Sequence, residues 1–311
     1  MKATDEAGPG VLLVDKPDGP TSHDIVARTR RALAIRRVGH TGTLDPFASG
    51  LLLLCIGRAT RLVEYFHVLP KCYEASLVLG RETVTDDLTG EETMSSDAWR
   101  ELDLTAIAEA AAARVGNQSQ VPPLYSARKV NGRRAHRLAR AGEEFELEPS
   151  LITVHSIEIT AWQPPVVSLA TRVSTGTYVR ALARDLGRDL GCGAHLSALR
   201  RTAIGPFEVD GAVCADELDR AARSSGDGLP LLTPLEALDW LPRRLLSDSE
   251  AREISHGRPV VAEGIAEPRI AGFCATPCDD GPVSLVSGGD LVAVATRDGP
   301  LLRPVKVLRA A

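Results

Sequence analysis

The residue whose surroundings best suit chemistry is Asp45, which lies in the glycine-rich segment 39–50 (GHTGTLDPFASG). Three glycines within these twelve residues favour a chain that turns sharply and lets a ligand approach the backbone. Pro46 biases Asp45 toward an extended conformation, which could present the carboxylate away from the loop. Such a carboxylate can act as a nucleophile or a base. An Asp-Pro pair among glycines is also an ordinary turn, so the residues alone leave both interpretations open.

Two strands and one helix must position this loop. Residues 11–14 (VLLV) predict a short buried strand, which ends at Pro17 and the Gly19-Pro20 pair. The sequence TSHD, beginning at Thr21, fits a capping box and predicts a helix that runs to about Leu33. Residues 51–57 predict a second buried strand directly after the loop.

Farther along the chain, the alternation of side chains over residues 73–80 predicts a strand with one buried face. The acidic stretch 81–97 is expected to be an exposed loop. The other predicted elements are a helix over 104–115, an extended connection over 120–125, strands over 152–161 and 166–174, a helix over 177–190, and a hairpin at Asp298-Gly299.

The net charge of −5 argues weakly against a nucleic-acid partner, but the charges are unevenly distributed. Seven basic residues and no acidic ones occur between Arg114 and Arg140, whereas nine acidic residues and a single arginine occur between Glu82 and Glu109. A basic stripe beside an acidic block can steer a polyanion to one face. A solvated helix face is the alternative interpretation.

The composition makes several classes of protein improbable. The longest apolar run, 51–56, is too short to span a bilayer, and the first ten residues lack the segments of a signal peptide. The six cysteines include no C-x-x-C pair, so we expect free thiols, including Cys274 and Cys278, and no metal site. The sequence contains no P-loop and no strand–G-x-G-x-x-G–helix unit, which argues against a nucleotide-binding metabolic enzyme. We expect a cytoplasmic protein without a membrane partner.

Residues 39–50 resemble the catalytic motif of the TruB family of pseudouridine synthases, G-H-T-G-x-L-D-P-x-A-x-G. Further blocks of that family occur in the expected order, and the resemblance is close over about residues 10–210. These blocks are DKPxxPTS from Asp15, KxYEA from Lys71, QVPPxYSA from Gln120, GTYVR from Gly176 and LRR from Leu199.

The resemblance implies an enzyme that isomerises uridine 55 in the T loop of tRNA to pseudouridine. The reaction breaks the C1′–N1 bond and forms a C1′–C5 bond, so it needs no electron carrier and no cofactor is implied. A uridine stacked in the T loop must be flipped out before a carboxylate can reach it.

The resemblance also assigns roles to particular residues. Asp45 is the expected catalytic carboxylate, Tyr73 stacks on the base, and Arg180 is the cation expected to keep the carboxylate ionised. His40 is expected to fill the space left by flipped bases. The other expected substrate contacts are Tyr178, Leu199 and Lys16, and the expected contacts with the RNA backbone are Arg128, Lys129, Arg133, Arg134 and Arg137.

The expected fold class is α+β. A pseudouridine-synthase-like catalytic domain with a mixed, largely antiparallel sheet is expected over residues 1–242, with an RNA-contacting insertion at about 124–150. A small β-rich, PUA-like RNA-binding domain is expected over 243–311. This tail departs most from the family, because residues 275–282 are rich in Asp, Pro and Gly and are not strongly basic.

Two alternatives stay open. One is a relative that modifies a different RNA, because archaeal and eukaryotic members of the wider family share the Asp motif but work in guide-RNA particles. The compact chain without a lysine-rich tail favours a tRNA enzyme that acts without a protein partner. The other is a non-catalytic protein that binds or folds tRNA. Asp45, Tyr73 and Arg180 together argue against it, since binding a polyanion does not require a carboxylate.

Overall fold

The computed structural model describes residues 8–223, 228–273 and 281–308, and these residues form two compact units. The first unit contains the chain up to Pro46, Gly50–Leu69 and the chain from Ala203 onward. The second unit contains Phe47–Ser49 and Pro70–Thr202.

Strands and helices are mixed along the chain, as expected for an α+β protein. The strands are β1 (Gly10–Lys16), β2 (Val38–His40), β3 (Ser49–Ile56), β4 (Lys71–Leu79), β5 (Arg81–Thr83), β6 (Glu92–Ser95), β7 (Gly116–Gln120), β8 (Lys129–Val130), β9 (Arg133–Arg134), β10 (Ser150–Gln163), β11 (Val166–Val173), β12 (Ala194–Ile204), β13 (Phe207–Glu208), β14 (Val213–Cys214), β15 (Arg243–Leu245), β16 (Val260–Val261), β17 (Ile265–Ala266), β18 (Val283–Ser287), β19 (Asp290–Asp298) and β20 (Leu301–Val307). The helices are α1 (Ser22–Ala32), α2 (Val63–His67), α3 (Leu104–Ala113), α4 (Ala135–Arg140), α5 (Val179–Asp189), α6 (Ala215–Ala221) and α7 (Asp248–Ser255).

Strand β3 is central to the first unit. β1 pairs with it in antiparallel orientation along its length, β2 also pairs with it, and β14 joins β1 in parallel. Successive residues of a strand point to opposite faces. Leu51 and Leu53 therefore enter one apolar cluster, whereas Leu52 and Leu54 enter another. The run 51–56 contains no polar residue because both faces of this strand are buried.

Helix α1 begins where the capping box predicts. The Thr21 hydroxyl accepts from the Asp24 amide at 3.1 Å, and the Asp24 carboxylate accepts from the Thr21 amide at 2.8 Å. The helix buries Ile25 and Thr29 and ends with Leu33 as its C-terminal cap. Helix α1 thereby lines the apolar cluster on one side of β3.

The second unit contains an antiparallel sheet in which β4, β11, β10 and β7 are successive neighbours. β4, β10, β11 and the helices α3 and α5 confirm the predicted elements to within a few residues. Ile107 of α3 lies in an apolar cluster with Leu79 of β4 and Val167 of β11. This packing fixes the helix against the sheet.

The prediction of an exposed loop over residues 81–97 is wrong in part. β5 and β6 pair as a short antiparallel hairpin, β5 buries Thr83, and the segment between the two strands buries Asp87. Glu82, Asp86 and Asp87 meet arginines of α5, whereas Glu91 and Glu92 are exposed, so only part of this acidic run is a solvent-exposed surface.

A six-stranded sheet follows residue 242, in the order β16-β20-β19-β18-β15-β17. β15 and β18 are parallel, and the other neighbours are antiparallel. The hairpin predicted at Asp298-Gly299 is confirmed, because β19 and β20 pair across it. The expected β-rich module is therefore present and is consistent with a PUA-like domain. The boundary at residue 242 stays a prediction.

Two further expectations concern cysteines and membranes. Cys55, Cys72, Cys192 and Cys214 are free thiols, as predicted; Cys274 and Cys278 lie outside the described residues. Among the helices of the described ranges, none is both long and apolar enough to cross a membrane.

Substitution of Phe66 tests the packing of the first unit. Phe66 is fully buried in an apolar cluster that also contains Trp240 and Val294. Because removal of the ring leaves a cavity, we expect Phe66→Ala to lower the free energy of unfolding by about 3–5 kcal/mol, measured by urea denaturation. Val68→Ala, at a position that is 54% exposed, is the control and should change it by less than about 0.5 kcal/mol. Equal losses would contradict the assignment of Phe66 to the core.

Candidate active site

The backbone that precedes Asp45 is held by a buried serine. Ser22, the first residue of α1, accepts a hydrogen bond from the Leu44 amide at 2.9 Å and donates its hydroxyl to the Leu44 carbonyl at 3.1 Å. Both residues are buried. Since buried amide and carbonyl groups need partners, these two hydrogen bonds tie the loop to the helix.

The backbone that follows Asp45 is held by a buried lysine. The Lys16 ammonium donates to the carbonyls of Pro17, Pro20 and Pro46 at 2.8, 2.9 and 3.3 Å. Its side chain is 0% exposed and contacts no solvent here, and the predicted contact of Lys16 with RNA stays a prediction. The ammonium stabilises loop carbonyls, and half-buried Asp45 stands between two anchored neighbours.

His40 ends β2, at the start of the same loop, and is half-buried. Its ring meets the ring of His23 edge-on, with the centroids 5.4 Å apart, and its Nδ1 accepts from the Gly42 amide at 3.3 Å. These contacts hold the imidazole beside the segment that carries Asp45. Its role in replacing flipped bases stays a prediction.

Tyr73 and Leu199 lie on strands of the second unit. Tyr73 is half-buried on β4 and packs against a cluster that contains Val154 and Leu182. Leu199 lies on β12 and is 9% exposed. Both side chains therefore have a packing role, which does not conflict with contact to a base.

Arg180 lies in the first turn of α5 and is only 5% exposed. Its guanidinium donates to the carbonyls of Thr85 and Tyr125 at 2.7 and 2.9 Å, and it lies 3.3 Å from Asp87 Oδ2. The arginine predicted from the sequence is therefore a buried, oriented cation. Within the second unit its acidic partner is Asp87.

Asp87 is the residue that the sequence prediction missed. Its Oδ1 accepts from the Thr85 hydroxyl at 2.7 Å and from the amide and hydroxyl of Thr89 at 2.9 and 2.6 Å. Oδ1 and Oδ2 thus face different partners, so the carboxylate has a fixed orientation toward Arg180. The only signal in the sequence was an acidic segment, and its pairing with a helix about 100 residues away depends on tertiary structure.

Tyr178 is fixed by the side-chain amide of Gln120. Gln120 Nε2 donates to the Tyr178 carbonyl at 3.1 Å, and Gln120 Oε1 accepts from the Tyr178 amide at 2.9 Å. Gln120 is 2% exposed. This pair of bonds connects the start of α5 to the Gln-Val-Pro-Pro segment.

The basic run of the insertion forms the hairpin β8–β9 and helix α4, and its five predicted RNA contacts are all exposed. Arg133 makes two hydrogen bonds of 2.7 Å to Glu143, and this bonding lowers the pKa of the Glu143 carboxyl and raises the pKa of Arg133. Arg128 donates to the Ser150 hydroxyl. Among the residues that the structure describes, no carboxylate pairs with Lys129, Arg134 or Arg137.

The predicted site residues fall into two groups. In the first unit lie Asp45, His40 and Lys16; in the second lie Tyr73, Tyr178, Arg180 and Leu199. The described residues contain no group of three or more His, Cys, Asp or Glu side chains that could hold a metal ion.

Comparison with known proteins gives a consistent result. Residues 30–179 match the TruB family pseudouridylate synthase N-terminal domain, and residues 180–238 match the tRNA pseudouridylate synthase B C-terminal domain. The protein named tRNA pseudouridine synthase B from Thermobifida fusca is 46% identical over 83% of this chain and 89% of its own length. The namesake from Arthrobacter sp. strain FB24 is 42% identical over 96% of both chains.

The chain belongs to the TruB family of pseudouridine synthases.

Solved structures support the fold of this TruB-family chain. The crystal structure of a Cbf5–Nop10–Gar1 complex contains a chain that is 27% identical, with a TM-score of 0.74 over 97% of this chain and 85% of that chain. A chain in the H/ACA RNP bound to a substrate RNA containing 2′-deoxyuridine is 25% identical, with a TM-score of 0.71 over 96% of this chain and 85% of that chain. The pseudouridine-synthase-like fold expected from the sequence is confirmed.

Ser22 gives a direct test of how the family motif is held. Ser22→Ala removes both bonds to buried Leu44, so we expect the free energy of unfolding to fall by about 1–3 kcal/mol in urea denaturation. The Asp45 carboxylate also loses its fixed position, and turnover should fall more than tRNA affinity. Ser119→Ala, at an exposed serine, is the matched control and should leave both measurements unchanged. Normal stability and turnover in Ser22→Ala would contradict this account of the loop.

Proposed function

We propose that this protein isomerises uridine to pseudouridine at position 55 in the T loop of tRNA, with Asp45 as the catalytic carboxylate. The observation that carries the proposal is the Asp45 loop. A half-buried carboxylate lies in the family motif between neighbours that are bonded to Ser22 and Lys16. An anchored carboxylate suits a reaction in which a flipped base must meet one oxygen in a defined geometry.

For this reaction the protein must position the uridine and supply charged groups beside it. The C1′–N1 bond breaks, the uracil turns while it is held, and the C1′–C5 bond forms. The proton on C5 leaves and N1 gains a proton, so atoms and electrons balance without an oxidant. No cofactor is required for that reason.

The roles of the surrounding side chains follow from their chemistry. Asp45 acts as nucleophile or base, and the Arg180 guanidinium keeps that carboxylate ionised through its positive charge. Tyr73 offers a ring face for the uracil. His40 takes space vacated by flipped bases, and Tyr178 and Leu199 line the base pocket. Flipping costs a few kcal/mol of stacking, which contacts with the rest of the tRNA must supply.

We infer that the insertion supplies phosphate contacts. Its exposed cations would give affinity and salt dependence with little sequence specificity. Arg133 already has a carboxylate partner in Glu143, so Lys129, Arg134 and Arg137 are the stronger candidates for contact with tRNA.

We infer that the enzyme works in the cytoplasm on tRNA and without a protein partner. The relatives named for tRNA match this chain over nearly its whole length. The chains in the H/ACA RNP and in the Cbf5–Nop10–Gar1 complex are less similar to it, at 25% and 27% identity. A tRNA substrate is therefore favoured over an RNA presented by a guide.

The decisive variant is Asp45→Asn. We expect wild-type protein to release tritium from C5-labelled uridine in unmodified tRNA, and Asp45→Asn to lower turnover on the order of 10⁴-fold. Binding of tRNA should persist, because the amide has almost the same shape as the carboxylate. Asp18→Asn, which changes an exposed aspartate of a neighbouring turn, is the matched control and should keep full turnover.

Two results would contradict the proposal. Binding of tRNA by the wild type without tritium release would indicate another RNA substrate or a non-catalytic role in tRNA binding and folding. Equal turnover in the wild type and Asp45→Asn would remove Asp45 from the catalytic role.

The basic run can be tested by the salt dependence of tRNA binding. Arg134→Ala and Arg137→Ala should each reduce the slope of log K against log salt by roughly 1, because each removes one phosphate contact. Arg133→Ala should have a smaller effect, since Glu143 already occupies its guanidinium. Filter binding over a series of KCl concentrations measures the three slopes. If Arg133→Ala reduced the slope as much as Arg134→Ala or Arg137→Ala, pairing with Glu143 would not limit the contact of Arg133 with phosphate.

A further inference from the structure

Three arginines one helical turn apart lie on the same face of α5. Each pairs with an acidic residue of the β5–β6 region: Arg180 with Asp87 at 3.3 Å, Arg184 with Asp86 at 2.9 Å, and Arg188 with Glu82 at 2.7 Å. The first two pairs are almost entirely buried, whereas the side chain of Arg188 is 56% exposed. The Arg184–Asp86 pair therefore lies inside the protein, one turn from Arg180.

The backbone of Asp86 is in a special conformation. Its φ is +59°, in the left-handed region that aspartate adopts more readily than most residues. Leu196 holds the backbone on both sides of Asp87, because its amide donates to the Asp86 carbonyl at 3.0 Å and its carbonyl accepts from the Leu88 amide at 2.9 Å. This turn directs the Asp86 side chain to Arg184 and the Asp87 side chain to Arg180.

Arg184 and Arg180 connect the same two segments. Arg184 donates to the Asp86 carboxylate and to the Val121 carbonyl, both at 2.9 Å. Arg180 donates to the Thr85 and Tyr125 carbonyls. A shift of the 85–87 turn would therefore disturb both guanidiniums together.

We propose that Asp86 and Arg184 are positioning residues for the isomerisation: they fix the turn that presents Asp87 to Arg180, and thereby set the position of the Arg180 guanidinium. The inference rests on the proposed function, in which Arg180 supports Asp45. Neither residue touches the uridine. Their effect reaches the reaction through Arg180, so it belongs to turnover and not to tRNA affinity.

The charge of Asp86 gives this role a pH dependence. Burial raises the pKa of the Asp86 carboxyl above its usual value. The positive charges of Arg184, Arg180 and Arg188 lower this pKa, and Asp185 of α5 raises it. The effect of burial is larger than that of the arginines, so the net shift is upward. Asp86 therefore takes up its proton at a higher pH than an ordinary aspartate does. As pH falls through that range, Arg184 loses the charge of Asp86 and keeps that of Asp185, whose carboxylate accepts from its Nε at 2.9 Å.

The first experiment compares wild type and Asp86→Asn by tritium release across a pH series. Asparagine tolerates the left-handed backbone and keeps an acceptor oxygen, but it is neutral at every pH. At neutral pH we expect kcat to fall by roughly 10²-fold, because a small displacement of a positioned group is costly, while the KM for tRNA stays within about twofold. The ratio of wild-type to variant kcat should shrink toward one as pH falls.

The second experiment uses the helix itself as a control. Arg184→Lys keeps the charge but cannot bond Asp86 and Val121 in the same fork geometry, so it should lower kcat without loss of tRNA binding. Arg188→Met removes the exposed neighbouring pair, in which Arg188 bonds Glu82 and, within the described part of the chain, no residue of the 121–125 segment, and it should leave kcat near the wild-type value. Asp86→Gly keeps the backbone conformation without the side chain, and it should resemble Asp86→Asn.

The outcomes separate the two levels of the proposal. Absence of tritium release by the wild type overturns the proposed function and this inference with it. Release by the wild type with a pH-independent ratio, or with equal losses in Arg184→Lys and Arg188→Met, overturns this inference alone. Such a result would leave the Arg184–Asp86 pair with a role in stability only.

Discussion

Burial of the Arg180 guanidinium is the constraint on which the second unit's arrangement depends. A guanidinium carries a permanent charge and five N–H donors, and its removal from water is costly unless both are satisfied. Asp87 supplies the opposite charge, and the Thr85 and Tyr125 carbonyls accept hydrogen bonds from the guanidinium. Segments that are far apart in the sequence therefore converge on the start of one helix. Three members of the acidic block, Glu82, Asp86 and Asp87, have an internal function, since they neutralise arginines of that helix.

The first unit also contains a buried cation, the Lys16 ammonium. The Lys16 ammonium is fully buried, and the carbonyls that it bonds belong to the turn after β1 and to the loop after Asp45. Gly19 adds a backbone bond to the same Pro46 carbonyl at 2.8 Å. In each unit a buried cation thus organises backbone carbonyls close to a residue of the proposed chemistry. Order in the free protein reduces the entropy that must be lost when the substrate binds.

Local rules account for most of what could be predicted from the sequence. The capping box at Thr21 and the hairpin at Asp298-Gly299 depend on residues within a few positions of one another, and both are confirmed. The buried strand around Leu51 follows from its uninterrupted apolar run. The family motif located Asp45 and Arg180, which neither periodicity nor composition could have singled out.

The main error has a physical cause. Residues 81–97 were predicted to be exposed because charged side chains are usually solvated. Three of the acidic side chains instead meet arginines of α5, which lie far along the chain. Buried Lys16 likewise bonds the distant Pro46 carbonyl, in addition to the nearby carbonyls of Pro17 and Pro20. Asp87 was missed for the same reason. Partners separated by many residues leave no pattern that a single sequence can display.

The position of β3 between two apolar clusters has a consequence for motion. A strand that contributes Leu51 and Leu53 to one cluster and Leu52 and Leu54 to the other cannot detach without exposing both. Its amide hydrogens belong among the slowest to exchange with solvent, in a segment that opens only when the whole unit unfolds. The Asp45 loop begins at β2 and ends at β3, so its ends share that slow cooperative block. The conformational adjustment needed to admit a flipped nucleotide must then come from the RNA and from less deeply packed segments, while the strands that flank the Asp45 loop keep their positions.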